Sequence, residues 1–171
     1  VYHPVEGRYV DDPIPADEIR LAVIKADPKR TLWQNAEAAL LDLGDGVVLY
    51  EFRSKANALG QWVMEGLLEV LDRVENDPNI RGMVIGNEGR HFSVGANLGE
   101  AVMAVAQQEF KLLETFLEKF QEVMQRIRYA TKPVVVAVHQ RALGGGCEMV
   151  MACPNPVAAA ESYLGLVELG V

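Results

Sequence analysis

Cysteine, dense basic charge and long apolar runs are all scarce in this 171-residue chain, and each shortage removes a class of function. The two cysteines, Cys147 and Cys153, stand close together in one apolar stretch. That spacing suits neither a disulfide framework nor a zinc site, so thiol-reduced, cytoplasmic chemistry is expected. The formal net charge is -8 and no dense Lys/Arg run occurs, which argues against a nucleic-acid surface. No apolar run approaches the ~20 residues of a membrane-spanning helix, and the N-terminus lacks the charged-then-apolar layout of a signal peptide. Neither G-x-x-x-x-G-K-[ST] nor G-x-G-x-x-G is present at a strand–helix junction, so the phosphate-binding loops of nucleotide enzymes are not expected.

What is present reads as one α/β domain behind a linker. Half of the residues are hydrophobic and 23% are charged, enough for a single core. Residues 1 to about 45 form the linker-like segment: Pro4, Pro13, Pro15 and Pro28 alternate with Asp11, Asp12, Asp17, Glu18 and Asp27. Only Ile19, Leu21, Val23 and Ile24 suggest a short helix there, with a second expected over Thr31 to Leu41. The folded core is expected over 46–171. Val47 to Phe52 reads as a strand, and residues 60–76 as an amphipathic helix ended by Asn76-Asp77-Pro78. Met83 to Gly86 reads as a strand, roughly Glu100 to Tyr129 as one long helix, and Val134 to Val138 as a strand buried on both faces. A short strand over Val157 to Ala160 and a loop entering a helix over Glu161 to Val171 complete it. The chain opens on Val1 and stops at Val171 inside what reads as an element approaching a site, as expected of a piece of a longer polypeptide.

The feature richest in chemistry is Gly144-Gly145-Gly146, between a strand and a helix beginning at Cys147-Glu148. Glycine lets backbone approach a ligand closely, and a helix start presents free N–H groups, so this turn suits a developing oxyanion. Tight strand–helix packing would use the same glycines. A second N–H could come from the loop Phe92-Ser93-Val94-Gly95-Ala96-Asn97.

Here the residues carry a resemblance. Phe92 to Leu98, then Lys132 to Val138, then Ala142 to Glu148 resemble successive signatures of the crotonase, or enoyl-CoA hydratase/isomerase, superfamily. The likeness spans about Val47 to Val171, and Asn57-Ala58-Leu59 resembles that family's CoA-binding turn. It implies a crotonase-like ββα spiral, truncated at the C-terminus, because the family fold continues well past Glu168. It also implies that the backbone N–H groups of Ala96 and Gly145 form an oxyanion hole and that Glu148 and Glu168 are the catalytic carboxyls. CoA-binding positions would be Arg53, Lys55, Ala56, Asn57, Ala58 and Leu59, with Arg53 and Lys55 available to phosphates.

The activity so implied is hydration of a trans-2-enoyl-CoA within fatty-acid β-oxidation, with acyl-CoA as substrate and no metal or redox cofactor. The wording of the motifs resembles the hydratase-like part of bacterial multifunctional proteins that carry a 3-hydroxyacyl-CoA dehydrogenase, so the parent is expected to be a homo-oligomer or part of a multifunctional complex. Enoyl-CoA isomerisation on the same scaffold, and a non-catalytic CoA-binding or assembly module, are the alternatives. Two departures concern positioning: Asn97 stands where the family often has Asp, and Pro154-Asn155-Pro156 where an acidic residue is common. Glu148 at a helix start would also complement the macrodipole, Glu168 could be a solvated surface group, and His91 and His139 are read as structural.

Overall fold

The computed structural model describes residues 2–9 and 18–168. Asp11, Asp12 and Asp17 of the expected linker, and the last three residues of the expected C-terminal helix start, lie outside them. In chain order the elements are β1 (Tyr2–His3), β2 (Arg8–Tyr9), α1 (Leu21–Ala26), β3 (Thr31–Gln34), β4 (Ala38–Gly44), β5 (Val47–Phe52), α2 (Gln61–Asn76) and β6 (Gly82–Gly86). They continue with α3 (Leu98–Ala106), α4 (Phe110–Arg128), β7 (Val134–Val138), β8 (Arg141–Leu143), α5 (Gly145–Ala152), β9 (Val157–Ala158) and β10 (Tyr163–Gly165).

One six-stranded sheet of order β3-β4-β5-β6-β7-β9 organises the chain. The β3-β4-β5 part is antiparallel, and β5-β6-β7-β9 is parallel. Side chains alternate across a strand, so Val48, Tyr50 and Phe52 of β5 enter the main core while Leu49 faces the other way. The main core lies under α2 and α4: Val63, Leu67, Val70, Leu71 and Val74 recur at helical spacing and meet Val123 and Ile127. Across the sheet, α1 lays Leu21 against Ala39, Leu41 and Leu49. Lys25 Nζ pairs there with the buried carboxylate of Glu51 at 2.5 Å.

Four expectations are corrected. Tyr163–Gly165, expected within a loop entering a helix, is β10, paired parallel with β8. Residues 31–41 are not a helix but most of two strands of the main sheet, so the sheet begins well before residue 46. Ala and Leu favour helix intrinsically, but Asn35 Oδ1 accepts the N–H groups of Glu37 and Ala38 and so makes the turn between β3 and β4, and pairing with β5 decides the rest. The long helix is two, because the chain turns at Gln108 (φ +58°). Glu109 N–H reaches Ala104 O at 2.8 Å and Gln108 N–H reaches Val105 O at 3.0 Å, the bonding of a Schellman C-cap. β7 is buried on one face only, since Val135 and Ala137 remain half-exposed on the thinly covered side of the sheet.

Lys132 anchors α2 to the turn before β7. Its ammonium donates to Val74 O at 2.8 Å, Asp77 O at 2.5 Å and Ile80 O at 2.7 Å, filling acceptors at a helix C-terminus where positive charge is favoured. Replacing Lys132 by Met keeps the aliphatic stem and strands these carbonyls. Urea denaturation of Lys132→Met is expected to show a loss of about 2 kcal/mol in unfolding free energy, and a loss below roughly 0.5 kcal/mol would contradict this anchoring role.

Candidate active site

Three loops leave the C-terminal ends of the adjacent parallel strands β5, β6 and β7, where α/β sheets place ligands. The β6 loop runs beside β8: Phe92 N–H bonds to His139 O at 3.2 Å, Ser93 N–H to Arg141 O at 3.0 Å, and Leu143 N–H to Ser93 O at 3.0 Å. The β5 turn joins it through Leu59 N–H to Gly95 O at 2.8 Å and Asn97 N–H to Leu59 O at 3.1 Å. Ala96 N–H takes part in neither bond. It points away from Leu59, because it lies trans to the Gly95 carbonyl within one planar peptide unit.

Gly95 meets the turn that starts α5. Its φ is +102°, and a Cβ there would stand 2.9 Å from Leu143 O and 3.4 Å from Gly145 N. Gly144 has φ +49° and donates its N–H to Gly165 O at 2.8 Å. Gly145, the first residue of α5, has no intrahelical acceptor for its N–H, and its Cα is backed by the ring of Phe120. Residues 96 and 145 are thus brought together across one glycine contact.

Both glutamates belong to the same neighbourhood. A Cβ on Gly144 would lie 2.7 Å from Glu168 Oε1. Glu148 follows in the first turn of α5 and is pushed above the ordinary glutamate range, first by burial and then by the Glu168 carboxylate. The Cys147 thiol is raised by burial and by the negative charges of Glu168 and Glu148, against a hydrogen bond with the Gly165 backbone. As residues, Glu148 and Glu168 are both exposed along the rim of this turn.

The six CoA-turn positions divide. Lys55 and Ala56 are exposed at the tip. Arg53 instead extends toward the β3–β4 turn, with its guanidinium 3.4 Å from Gln34 Oε1. Ala58 is half-buried, its carbonyl accepting Ser54 Oγ at 2.5 Å. Leu59 is fully buried. Asn57 turns inward, donating to Asn87 Oδ1 at 2.7 Å and His91 O at 2.8 Å, so its side chain braces the β6 loop. His139 Nε2 lies 2.6 Å from Gly89 O. His91 is held below the ordinary histidine range by desolvation and by the charges of Arg141, Arg90 and His139.

Sequence reading singled out neither Ser93 nor Phe120. Ser93 is a small polar residue inside an otherwise apolar stretch, which is a visible signal; which aromatic of α4 would back Gly145 depends on tertiary packing. Among the described residues no group of three or more His, Cys, Asp or Glu could hold a metal ion, and no helix is long and apolar enough to cross a membrane.

Known proteins resemble this chain in sequence and fold. Residues 44–171 fit the family model described as enoyl-CoA hydratase/isomerase. A Bacillus subtilis (strain 168) protein named "Probable 3-hydroxyacyl-CoA dehydrogenase" is 42% identical over 90% of this chain and 19% of its own length. Another from the same organism, "Probable enoyl-CoA hydratase", is 40% identical over 68% of this chain and 44% of its own. A crystal structure of an enoyl-CoA hydratase from Polaromonas sp. JS666 superposes with a TM-score of 0.67 at 29% identity, covering 73% of this chain and 49% of that one. The chain therefore spans less than half the length of each.

The raised pKa of Glu148 links stability to pH. The folded chain holds this proton more tightly than the unfolded chain does, so ionising Glu148 costs stability, and stability is lost as pH rises from the ordinary value of 4.5 through the raised one. Glu148→Gln removes that cost. Thermal unfolding is expected to show the variant melting above the parent at pH 8, with the difference closing below pH ~4.5; equal melting temperatures at pH 8 would refute the linkage.

Proposed function

The chain belongs to the enoyl-CoA hydratase/isomerase family, and from that premise we propose that its protein adds water across the double bond of a trans-2-enoyl-CoA in fatty-acid β-oxidation. The observation that carries this is the meeting of the 54–59 turn, the Gly95–Ala96 loop and the Gly144–Glu148 turn, with the Glu168 carboxyl against Gly144. The CoA portion would lie on the Lys55–Leu59 turn. The N–H groups of Ala96 and Gly145 would donate hydrogen bonds to the thioester oxygen and favour the enolate that forms there.

Glu148 would take a proton from the water as its oxygen bonds to C3. Glu168, sharing that water and entering the step in its acid form, would deliver a proton to C2, and the proton left on Glu148 would pass back to Glu168 through the next bound water, so that hydroxyl and hydrogen add to neighbouring carbons and the product is a 3-hydroxyacyl-CoA. Coenzyme A enters as part of the substrate, and the steps call on no metal or redox group. The product is what a 3-hydroxyacyl-CoA dehydrogenase consumes, which accords with the name of the 42%-identical relative. A cytoplasmic, multifunctional or homo-oligomeric parent fits the same reading.

The test is crotonyl-CoA supplied to the full-length protein, with the 2-enoyl thioester absorbance followed and the product identified. The expected product is 3-hydroxybutyryl-CoA; a 3-enoyl substrate turned into a 2-enoyl product, with no hydration, would favour isomerisation instead. Glu148→Ala and Glu168→Ala are each expected to lower kcat by about 10²–10⁴-fold. Parental kcat in either variant would remove that glutamate from the mechanism.

A further inference from the structure

We infer that Ser93 is a positioning residue of this site, one whose hydroxyl aims the Ala96 N–H and couples it to the CoA turn; the inference rests on the hydration reading above. Ser93 is wholly inaccessible to solvent. Its Oγ donates to Asn57 O at 2.8 Å and accepts the Gly95 N–H at 3.1 Å. Its backbone is bonded to Arg141 and Leu143 of β8. Its Cβ fills the space that a side chain on Gly146 would need, because a Cβ there would stand 2.7 Å away. One serine thus touches the β5 turn, its own loop, β8 and the first turn of α5.

The hydroxyl matters because of the residue it holds. Gly95 must be glycine to pass under Leu143 and Gly145, and glycine is also the residue whose backbone rotates most freely. Two bonds restrain it from opposite sides: Leu59 N–H grips its carbonyl, and Ser93 Oγ grips its N–H. A hydroxyl has one proton, which is committed to Asn57 O, so a lone pair is left directed at Gly95. Alanine at 93 would leave a buried N–H and a buried C=O without these partners. The peptide units on either side of Gly95 could then turn toward other acceptors, carrying the Ala96 N–H off its line. Asn57 would still be tied through its side chain to Asn87 and His91, so the CoA turn would keep its place.

The test uses the full-length protein and two readouts. For Ser93→Ala with crotonyl-CoA, kcat is expected to fall by about 10–100-fold while KM stays within about threefold, the pattern of an interaction realised in the transition state. Infrared difference spectra of bound butyryl-CoA carrying ¹³C at the thioester carbonyl supply the second. Hydrogen bonds to that oxygen lower its stretching frequency, and in Ser93→Ala the band is expected to move back toward its position in free solution. A purely structural role would not shift it. Parental kcat, or a lowered kcat with the band unmoved, would overturn the inference. The band needs no turnover, so it judges Ser93 even if the parent protein proves inactive, a result that would overturn the hydration reading alone. Should Ser93→Ala fail to fold, Ser93→Cys keeps a side chain of similar shape with a weaker donor and acceptor, and the same two changes are expected at smaller amplitude.

Discussion

Gly95 lies against the Leu143–Gly145 turn more closely than a side chain would permit, and the geometry of the site depends on that contact. A Cβ on Gly95 would press on Leu143 O, and one on Gly144 would displace the Glu168 carboxyl. Both glycines also adopt the positive φ that other residues reach only at a cost. The contact joins the β6 loop to the start of α5, so the residues on either side of it, Ala96 and Gly145, cannot drift apart independently. It is possible because β6 and β7 are hydrogen-bonded parallel neighbours, and their outgoing loops begin side by side.

The core supplies the rigidity that a glycine-lined contact lacks. Phe92 enters the β6 loop fully buried and meets Phe52 of β5 edge to face, with ring centroids 5.4 Å apart. Phe120 comes from the opposite direction on α4, backing Gly145 and leaning on Phe116. Burying a side chain of this size is worth roughly 1.5–3 kcal/mol, against about 0.5–1.5 kcal/mol for each bond that shapes either loop. The site is therefore held by aromatic packing from beneath, while hydrogen bonds from Ser93, Asn57 and Leu59 set its fine geometry. A loop anchored by one buried ring at its base can afford glycine at its tip.

Periodicity made much of this legible before any coordinates. The apolar spacing over 60–76 and the branched residues of Val47–Phe52 and Val134–Val138 gave a helix and two strands within a residue or so of their observed bounds. The Phe92–Asn97 loop could be offered as a second N–H source because it follows one strand and precedes a helix, and its pairing with Gly145 came from the family resemblance. What escaped lacked a local signal. Thr31–Leu41 carries good helix formers, and its strand pairing comes from β5. Gln108 takes a left-handed turn that glycine normally marks, so the break between α3 and α4 was invisible. Asn57 was named through the likeness of Asn57-Ala58-Leu59 to a CoA-binding turn, and the ties of its carboxamide to Asn87 and His91 reach too far along the chain to be seen locally. Arg53 was chosen for its charge, and the strand it follows directs it toward Gln34.

The charge pattern around α5 bears on the role of base proposed for Glu148. Helix starts favour negative side chains, so Glu148 alone would gain from ionising. Burial and the Glu168 carboxylate work the other way and prevail, which leaves Glu148 with a raised proton affinity. For an acid meant only to stabilise a helix, that would be a defect. For a group that must draw a proton from water near neutral pH it is an advantage, since a base is more effective as its pKa approaches the working pH. The same two influences strengthen when a bound acyl group covers the exposed rim, because removing water raises the cost of keeping both carboxylates ionised. In the proposed hydration a covered rim would thus favour one proton shared between the two carboxyls, the arrangement in which Glu168 is the acid and Glu148 the base.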